Sequence, residues 1–157
     1  MYQPLDISGW TVLITGASSG FGYAAAWRFA ELGCKLVLVA RRSERRAELS
    51  AGIREKFEGT SIHCETLDLY DLSKVEALPS TLPPGFNAVD ILVNNAGLAL
   101  GKLSAQENET ADVVKVVQTN LTSLIVATST FTKGMVERGR GHVINVGSIA
   151  GHEAYAG

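Results

Sequence analysis

Residues 11–22 read TVLITGASSGFG. An apolar run of β-favouring residues ends at Thr15 and is followed at once by a loop that contains Gly16, Gly20 and Gly22. Apolar residues then recur at helical spacing, at Phe21, Ala25, Phe29 and Leu32. A strand, a glycine loop and a helix in direct succession predict the first β-α unit of an α/β fold, whose helix N-terminus would favour a pyrophosphate.

Four further apolar runs follow the first, at 36–40, 61–67, 89–93 and 141–146. Each is short and mostly apolar on both faces, which is typical of strands in a covered parallel sheet. Helical spacing lies between the runs, so each crossover is expected to carry a helix. Right-handed crossovers then predict a Rossmann-like, doubly wound parallel α/β sheet with strand order 3-2-1-4-5, formed by residues 1–157 as one domain.

The longest helical pattern precedes the fifth run. Its apolar residues are spaced by three and four positions from Val113 to Met135. Residues 104–107, SAQE, predict a capping box near its entry, and Gly139 and Gly141 bracket its end.

The composition indicates that the function resides in a localised binding or catalytic site and not in a charged interaction surface. The chain has 157 residues, of which 46% are apolar and 19% charged, enough for one buried core. Fourteen basic and sixteen acidic side chains give a net charge of -2. We therefore expect no nucleic-acid or membrane partner. The first ten residues do not resemble a secretion signal, and no apolar stretch reaches about 18 residues, so the cytoplasm is the expected location.

Cysteine and histidine spacing predicts neither a disulfide framework nor a metal site. Cys34 and Cys64 are expected to be buried free thiols. His63, His142 and His152 lack the spacing of metal ligands.

The residues that follow the first two strands indicate a dinucleotide site. The loop has the spacing GxxxGxG, and its alternative interpretation is a tight turn that only serves packing. The second strand ends in Ala40-Arg41-Arg42, where an NAD site usually carries an acidic residue. Guanidinium groups suit a 2'-phosphate, so NADP(H) is the predicted cofactor. Alternatively, Arg41 to Arg46 belong to a solvated helix, which we expect for Arg45 and Arg46.

Asp68 follows the third strand and has two possible roles. It could accept a hydrogen bond from an adenine amino group, or Asp68 or Asp71 could cap the next helix.

Four motifs in order carry a resemblance to a known family. They are TGASSGFG at 15–22, NNAG at 94–97, Asn120 within QTNL, and GSIAG at 147–151. Together they resemble the short-chain dehydrogenase/reductase family. VARR, ILVNNAGLALG and GSIAGHEAYAG are similar to its NADP-dependent serine and 3-hydroxy acid dehydrogenases. The resemblance implies an oxidoreductase that transfers a hydride between the nicotinamide and a small hydroxyl or carbonyl substrate.

The resemblance also implies roles for individual residues. Asn120 matches the asparagine that interrupts the long helix and holds a water in a proton relay, although a plain polar residue on a buried helix is the alternative. Ser148 matches the serine that orients the substrate carbonyl, and Asn94 is expected to be mainly structural. The implied cofactor-binding residues are Gly16, Ser18, Ser19, Gly20, Phe21, Gly22, Arg41, Arg42, Asp68, Leu69, Asn95, Ala96 and Gly97. Phe21 replaces the isoleucine usual in the family.

The family uses a tyrosine as general acid/base, with a lysine four residues later. Tyr155 follows Ser148 by only seven residues and matches a loop tyrosine of the subgroup, and only Ala156 and Gly157 follow it. We therefore expect a C-terminally truncated dehydrogenase that lacks the catalytic pair and the later strands, with residues 142–146 as an unprotected sheet edge. The complete family protein is expected to be a homo-oligomer. Two alternatives are a non-catalytic NADP(H)-binding module and a nonfunctional remnant.

Overall fold

A computed structural model describes residues 5–100 and 104–152 as five parallel strands flanked by helices. The strands form one sheet in the order β3-β2-β1-β4-β5, which confirms the predicted order and the Rossmann-like class. The strands are β1 (Thr11–Thr15), β2 (Lys35–Ala40), β3 (Ile62–Thr66), β4 (Ile91–Asn94) and β5 (His142–Asn145). The α-helices are α1 (Gly20–Glu31), α2 (Ser43–Lys56), α3 (Leu72–Thr81), α4 (Thr110–Val117) and α5 (Ser123–Glu137).

Both faces of the central strands are covered by helices. Val12 and Ile14 of β1 point to one face, where they join a cluster with residues of α1 and α2. Leu13 points to the other face and joins a cluster with residues of α3 and α5. Alternation with a period of two thus supplies two cores from one strand, which explains why β1 is apolar throughout.

The long helix is divided, and a capping box lies just before its start. Residues Gln118–Thr122 form a π-helical turn between α4 and α5. The capping box of Ser104 and Glu107 closes a separate 3₁₀ turn, Ala105–Glu107. The predicted capping box near the entry of the long helix is confirmed, but it closes this separate turn, because Asn108 and Glu109 are extended and α4 begins only at Thr110. Gly139, at φ +64°, lies just beyond the end of α5, as expected.

An ion pair closes the amino ends of three strands. Asp90 is buried, and its Oδ1 accepts from Nε of Arg140 at 3.0 Å and pairs with Nη2 of Arg140 at 2.9 Å. Its Oδ2 accepts from the backbone N–H of Thr11 at 3.0 Å. Arg140 also stacks over the Trp10 ring, 5.0 Å from its centroid. This network fixes the end of the sheet opposite to the glycine loop.

The prediction of two buried free thiols holds for one of the two cysteines. Cys34 is a buried thiol, and burial raises its pKa to about 11, whereas Cys64 is only partly buried.

Within residues 5–100 and 104–152, no strand pairs with the outer edge of β5. Val146, directly after β5, is partly exposed. Across the same residues there is no helix long and apolar enough to cross a membrane, and no cluster of three potential metal ligands.

Candidate cofactor cleft and catalytic residues

An open cleft lies at the carboxyl ends of β1, β2, β3 and β4, where doubly wound sheets bind their ligands. Every predicted cofactor residue except Gly22 lines it. The sequence did not single out the other lining residues, which are Val39, Ala40, Leu67, Leu98 and Thr119. They are strand ends or immediate neighbours of predicted residues, so the topology of the sheet places them in the cleft.

The glycine loop leaves backbone N–H groups open at the start of α1. Gly16 and Gly20 have φ of +68° and +57°, values that L side chains rarely adopt. Ser19 is the N-cap of α1, but its side chain makes no capping bond, and the first turn carries no acidic residue. The positive end of α1 therefore remains available to an anion.

Gly22 lies beneath the loop and serves packing. A Cβ there would stand 2.4 Å from Nδ2 of Asn95 and 2.7 Å from the carbonyl oxygen of Gly16. At Gly16, a Cβ would lie 2.8 Å from Cα of Ala96. The glycine loop and the residues after β4 are thus in direct contact, and only glycine fits at these two positions.

Thr15, which sequence reasoning missed as a site residue, joins these two segments. Its hydroxyl donates to the carbonyl of Val93 at 3.2 Å and accepts from the N–H groups of Asn95 and Ala96 at 3.0 and 3.1 Å. Nδ2 of Asn95 in turn donates to the carbonyl oxygens of Thr15 and Gly16 at 2.9 and 3.3 Å. In the sequence, the signal for this role was the position of Thr15 directly before the first glycine of the loop, Gly16.

Two exposed arginines follow β2 at the rim of the cleft. Nη2 of Arg42 donates to the hydroxyls of Ser18 and Ser19 at 3.3 and 3.1 Å, which joins the end of β2 to the glycine loop. Nη1 of Arg41 lies 3.9 Å from Oδ2 of Asp68 at the end of β3. Both partners of that pair are about half exposed, so it contributes little to stability.

The two aspartates after β3 have different structural roles. Asp71 caps α3, since its Oδ1 accepts from the N–H of Lys74 at 3.3 Å. Hydrogen bonds from Ser73 and Lys74 lower the pKa of Asp71 to about 2. Asp68 accepts instead from the N–H of Tyr70 at 3.1 Å and lines the cleft. Asp68 therefore caps no helix, and its predicted adenine contact stays a prediction.

The expectation of a solvated Arg46 is wrong. Arg45 is exposed, but Arg46 is only 5% exposed and lies between α2 and the sheet. Its Nη1 donates to the carbonyls of Ala40 and Glu65 at 2.7 and 2.8 Å, and its Nη2 donates to Oγ1 of Thr66 at 2.7 Å. The side chain is held inside because two carbonyls and one hydroxyl at the strand ends accept hydrogen bonds from its guanidinium.

The predicted catalytic Asn120 lies in the π-helical turn and its side chain is exposed. Its Oδ1 accepts from the N–H of Leu98 at 2.8 Å, and its Nδ2 donates to the carbonyl of Leu98 at 2.7 Å. The alternative of a plain polar residue on a buried helix does not hold. Asn94 is buried and donates to Thr128 and Asn145, which is a structural arrangement.

Ser148 follows β5 and is exposed. Its Oγ accepts from the N–H of Ala150 at 3.2 Å and caps a short 3₁₀ turn, Ile149–Gly151. Within the described residues this hydroxyl accepts a hydrogen bond and donates none, so its proton can be donated to a ligand. Neither Ser148 nor Asn120 lines the cleft itself, although Thr119 and Leu98 beside Asn120 do.

Tyr155 lies outside the described residues. Tyr70 and Lys74 have the tyrosine–lysine spacing of the family, but the position is unsuitable. They follow β3, which lies four strand spacings from β5 and Ser148, or about 19 Å. Nζ of Lys74 is also paired with Asp71 at 3.1 Å. Tyr70 therefore follows the strand at the opposite edge of the sheet from β5 and Ser148.

The chain is similar to several known proteins. Sulfoacetaldehyde reductase 2 of Chromohalobacter salexigens is 42% identical over 147 residues, which are 93% of this chain and 57% of that protein. An NADP-dependent 3-hydroxy acid dehydrogenase of Shigella flexneri is 40% identical over 146 residues, again 93% and 57%. The chain thus spans little more than half the length of these relatives.

A solved structure, the closed form of serine dehydrogenase complexed with NADP+, is 39% identical. It superposes with a TM-score of 0.84 over 94% of this chain and 57% of that one. The family model described as short chain dehydrogenase matches residues 10–157. This chain belongs to the short-chain dehydrogenase family.

Proposed function

We propose that the chain forms the NADP(H)-binding part of an oxidoreductase. The observation that carries this proposal is the bridge from Arg42 to the hydroxyls of Ser18 and Ser19 at the rim of the cleft. It places a guanidinium beside two hydroxyl donors, a combination suited to a phosphate dianion. A relative and a solved neighbour are both named with NADP, which supports the same cofactor.

The other parts of the cofactor have matching surfaces. The open N-terminus of α1 would hold the pyrophosphate, and Asp68 and Leu69 would contact the adenine. Asn95, Ala96 and Gly97 would line the ribose on the nicotinamide side, where Thr15 holds the backbone of Asn95 and Ala96. Phe21 is 80% exposed at the start of α1 and would cover the nicotinamide end.

The cofactor proposal is tested by titrating the chain with NADPH and NADH. We expect NADPH to bind roughly ten- to a hundredfold more tightly, because hydrogen bonds to charged groups contribute about 1.5 to 3 kcal/mol. Arg42→Ala should narrow this gap, whereas Arg45→Ala, an exposed arginine on the same segment, should not. Equal affinities in the unmutated chain would contradict the proposal.

For the reaction, we propose that Ser148 and Asn120 act on the substrate side. When bound, NADP(H) supplies or accepts the hydride. Oγ of Ser148 accepts from Ala150, so its proton can be donated to the substrate oxygen and stabilise negative charge there. Oδ1 and Nδ2 of Asn120 each make one hydrogen bond to the backbone of Leu98, which leaves one N–H and one lone pair of the amide for a relay water. Backbone carbonyls of the π-helical turn, whose hydrogen-bond register is shifted, would be further acceptors for that water.

The proposed substrates are small hydroxy acids or the corresponding carbonyl compounds, such as a 3-hydroxy acid or serine. The names of the relatives point to sulfoacetaldehyde, 3-hydroxy acids and serine. In each compound one carbon separates the acid group from the carbon that would gain or lose the hydride. We therefore expect the substrate to carry an ionised acid group at this position, and an aldehyde of the same size without an acid group to react more slowly.

We further propose that the 157 residues alone bind cofactor without turnover. Serine and asparagine can orient a substrate and a water, but neither replaces a tyrosine whose pKa is tuned by a lysine. General acid/base catalysis is worth about 10² to 10⁴ in rate. NADPH absorbance should be followed for this chain and for one extended through the tyrosine–lysine segment of the family. Substantial turnover by the shorter chain would contradict this proposal, and loss of that turnover in Tyr155→Phe would identify Tyr155 as its acid.

A homo-oligomer is the proposed assembly of the complete protein. Apolar side chains of α4, the π turn and α5 remain about half exposed, which favours burial against another subunit. They are Val113, Val117, Leu121 and Ile125. Sedimentation of the protein and of Ile125→Glu would test this: we expect the variant to shift towards the monomer.

A further inference from the structure

Arg46 occupies an unusual environment at the end of the sheet. Its guanidinium is buried between α2 and the β2–β3 pair, and among the described residues no ion pair involves it. Its Nε is also buried and has no hydrogen-bond partner. A buried cation without a carboxylate costs free energy of desolvation. An apolar side chain would fill this place at lower cost, so packing alone does not explain the arginine.

The hydrogen bonds of Arg46 join two strand ends where the sheet ladder stops. Ala40 and Thr66 are the last paired residues of β2 and β3. Arg46 binds the carbonyl of Ala40 on one strand, and the carbonyl of Glu65 and the hydroxyl of Thr66 on the other. The planar guanidinium makes these bonds in fixed directions, which one ammonium group does not reproduce. Arg46 therefore clamps the ends of β2 and β3 together.

The clamped ends carry the residues proposed to select the cofactor. Arg41 and Arg42 follow Ala40 directly, and Asp68 is two residues after Thr66. Arg46 does not line the cleft but lies behind it, facing a groove between α2 and β3. Its charge also adds positive potential beneath the place proposed for the 2'-phosphate, with little screening by water.

We propose that Arg46 is a positioning residue for recognition of the 2'-phosphate. It fixes the strand ends from which Arg41 and Arg42 extend, and so sets the preference for NADP(H) over NAD(H). The inference rests on the proposed function, because it concerns the same cleft. It assigns a role to a side chain that touches neither cofactor nor substrate.

The test uses 2',5'-ADP and 5'-AMP as probes, which differ by the 2'-phosphate alone. Their dissociation constants are measured by calorimetry for the unmutated chain, Arg46→Met, Arg46→Lys and Arg45→Met. We expect Arg46→Met to narrow the preference for 2',5'-ADP about fivefold to tenfold, as loss of part of a charge-assisted contact would. Arg46→Lys keeps the charge and one donor group, and should recover part of the preference.

The matched control is Arg45→Met, which removes the same charge from the same helix at an exposed position. It should leave the ratio of the two constants within about twofold, as expected for an exposed charge in high dielectric. A purely structural role for Arg46 would lower the melting temperature of Arg46→Met and leave the ratio unchanged. That result would overturn the inference alone. Equal binding of both probes by the unmutated chain would overturn the proposed function and the inference with it.

If Arg46→Met does not fold, Thr66→Val tests the positioning role of Arg46. It removes the hydroxyl acceptor of Nη2 and keeps both the shape of the side chain and the arginine. We expect the probe preference to narrow by about two- to threefold, in proportion to the loss of one hydrogen bond from the clamp. An unchanged preference in a folded Thr66→Val chain would overturn the inference.

Discussion

Replacing Thr15 with valine removes one hydroxyl and preserves the shape of the side chain. In the structure that hydroxyl accepts from two backbone N–H groups, those of Asn95 and Ala96, and donates to the carbonyl of Val93. Each buried group left without a partner costs about 1 to 3 kcal/mol. Asn95 and Ala96 are only partly buried, so the lower part of that range applies to each. We expect Thr15→Val to lower the free energy of unfolding by about 2 to 4 kcal/mol.

The matched control is Thr11→Val on the same strand. Thr11 is equally buried, but its hydroxyl makes no hydrogen bond within the described part of the chain. Urea unfolding should therefore place Thr11→Val within about 0.5 kcal/mol of the unmutated chain. Thr15→Val should also melt roughly 5 to 15 °C lower, given about 2 to 4 °C per kcal/mol for a chain of this size. NADPH affinity should fall with it, because the backbone after β4 loses its fixed position. Similar stability of the two variants would refute the assignment of Thr15 as the link between β1 and the residues after β4.

Three further outcomes follow from single interactions. Asp90→Ala should lower the free energy of unfolding by about 2 to 4 kcal/mol, since it leaves Arg140 and a backbone N–H without a partner; equal urea midpoints would contradict this. Alkylation at pH 8 should modify Cys64 well before Cys34, because burial raises the pKa of Cys34 to about 11; mass spectrometry of the modified chain gives the order. The folded pKa of Asp71, about 2, lies below its ordinary 3.8, so its stabilising contribution is present above pH 3.8 and is lost as the pH falls through 2. The melting difference between Asp71→Ala and the unmutated chain should therefore be present at neutral pH and shrink in acid.

The sequence by itself determined the sheet and the glycine loop, because both depend on neighbours close along the chain. Apolar runs flanked by helical spacing identify buried parallel strands, and right-handed crossovers leave few possible orders. The loop between β1 and α1 was equally local, since a strand, three glycines and a helix follow one another within residues 11–22. Arg41 and Arg42 could be found for the same reason, as they directly follow a recognisable strand.

Only the tertiary structure decided which polar side chains serve the fold and which face the cleft. Thr15 and Asn95 are 80 positions apart, and no local pattern indicates that one hydroxyl holds the other segment. Arg46 looks like any charged helical residue until strand-end carbonyls of β2 and β3 lie within reach of its guanidinium. Asp68 and Asp71 are equally good caps by residue type, and the actual start of α3 separates them. Hydrogen bonds between distant segments depend on where the chain places both partners, and this placement exists only after the strands have been assembled into a sheet.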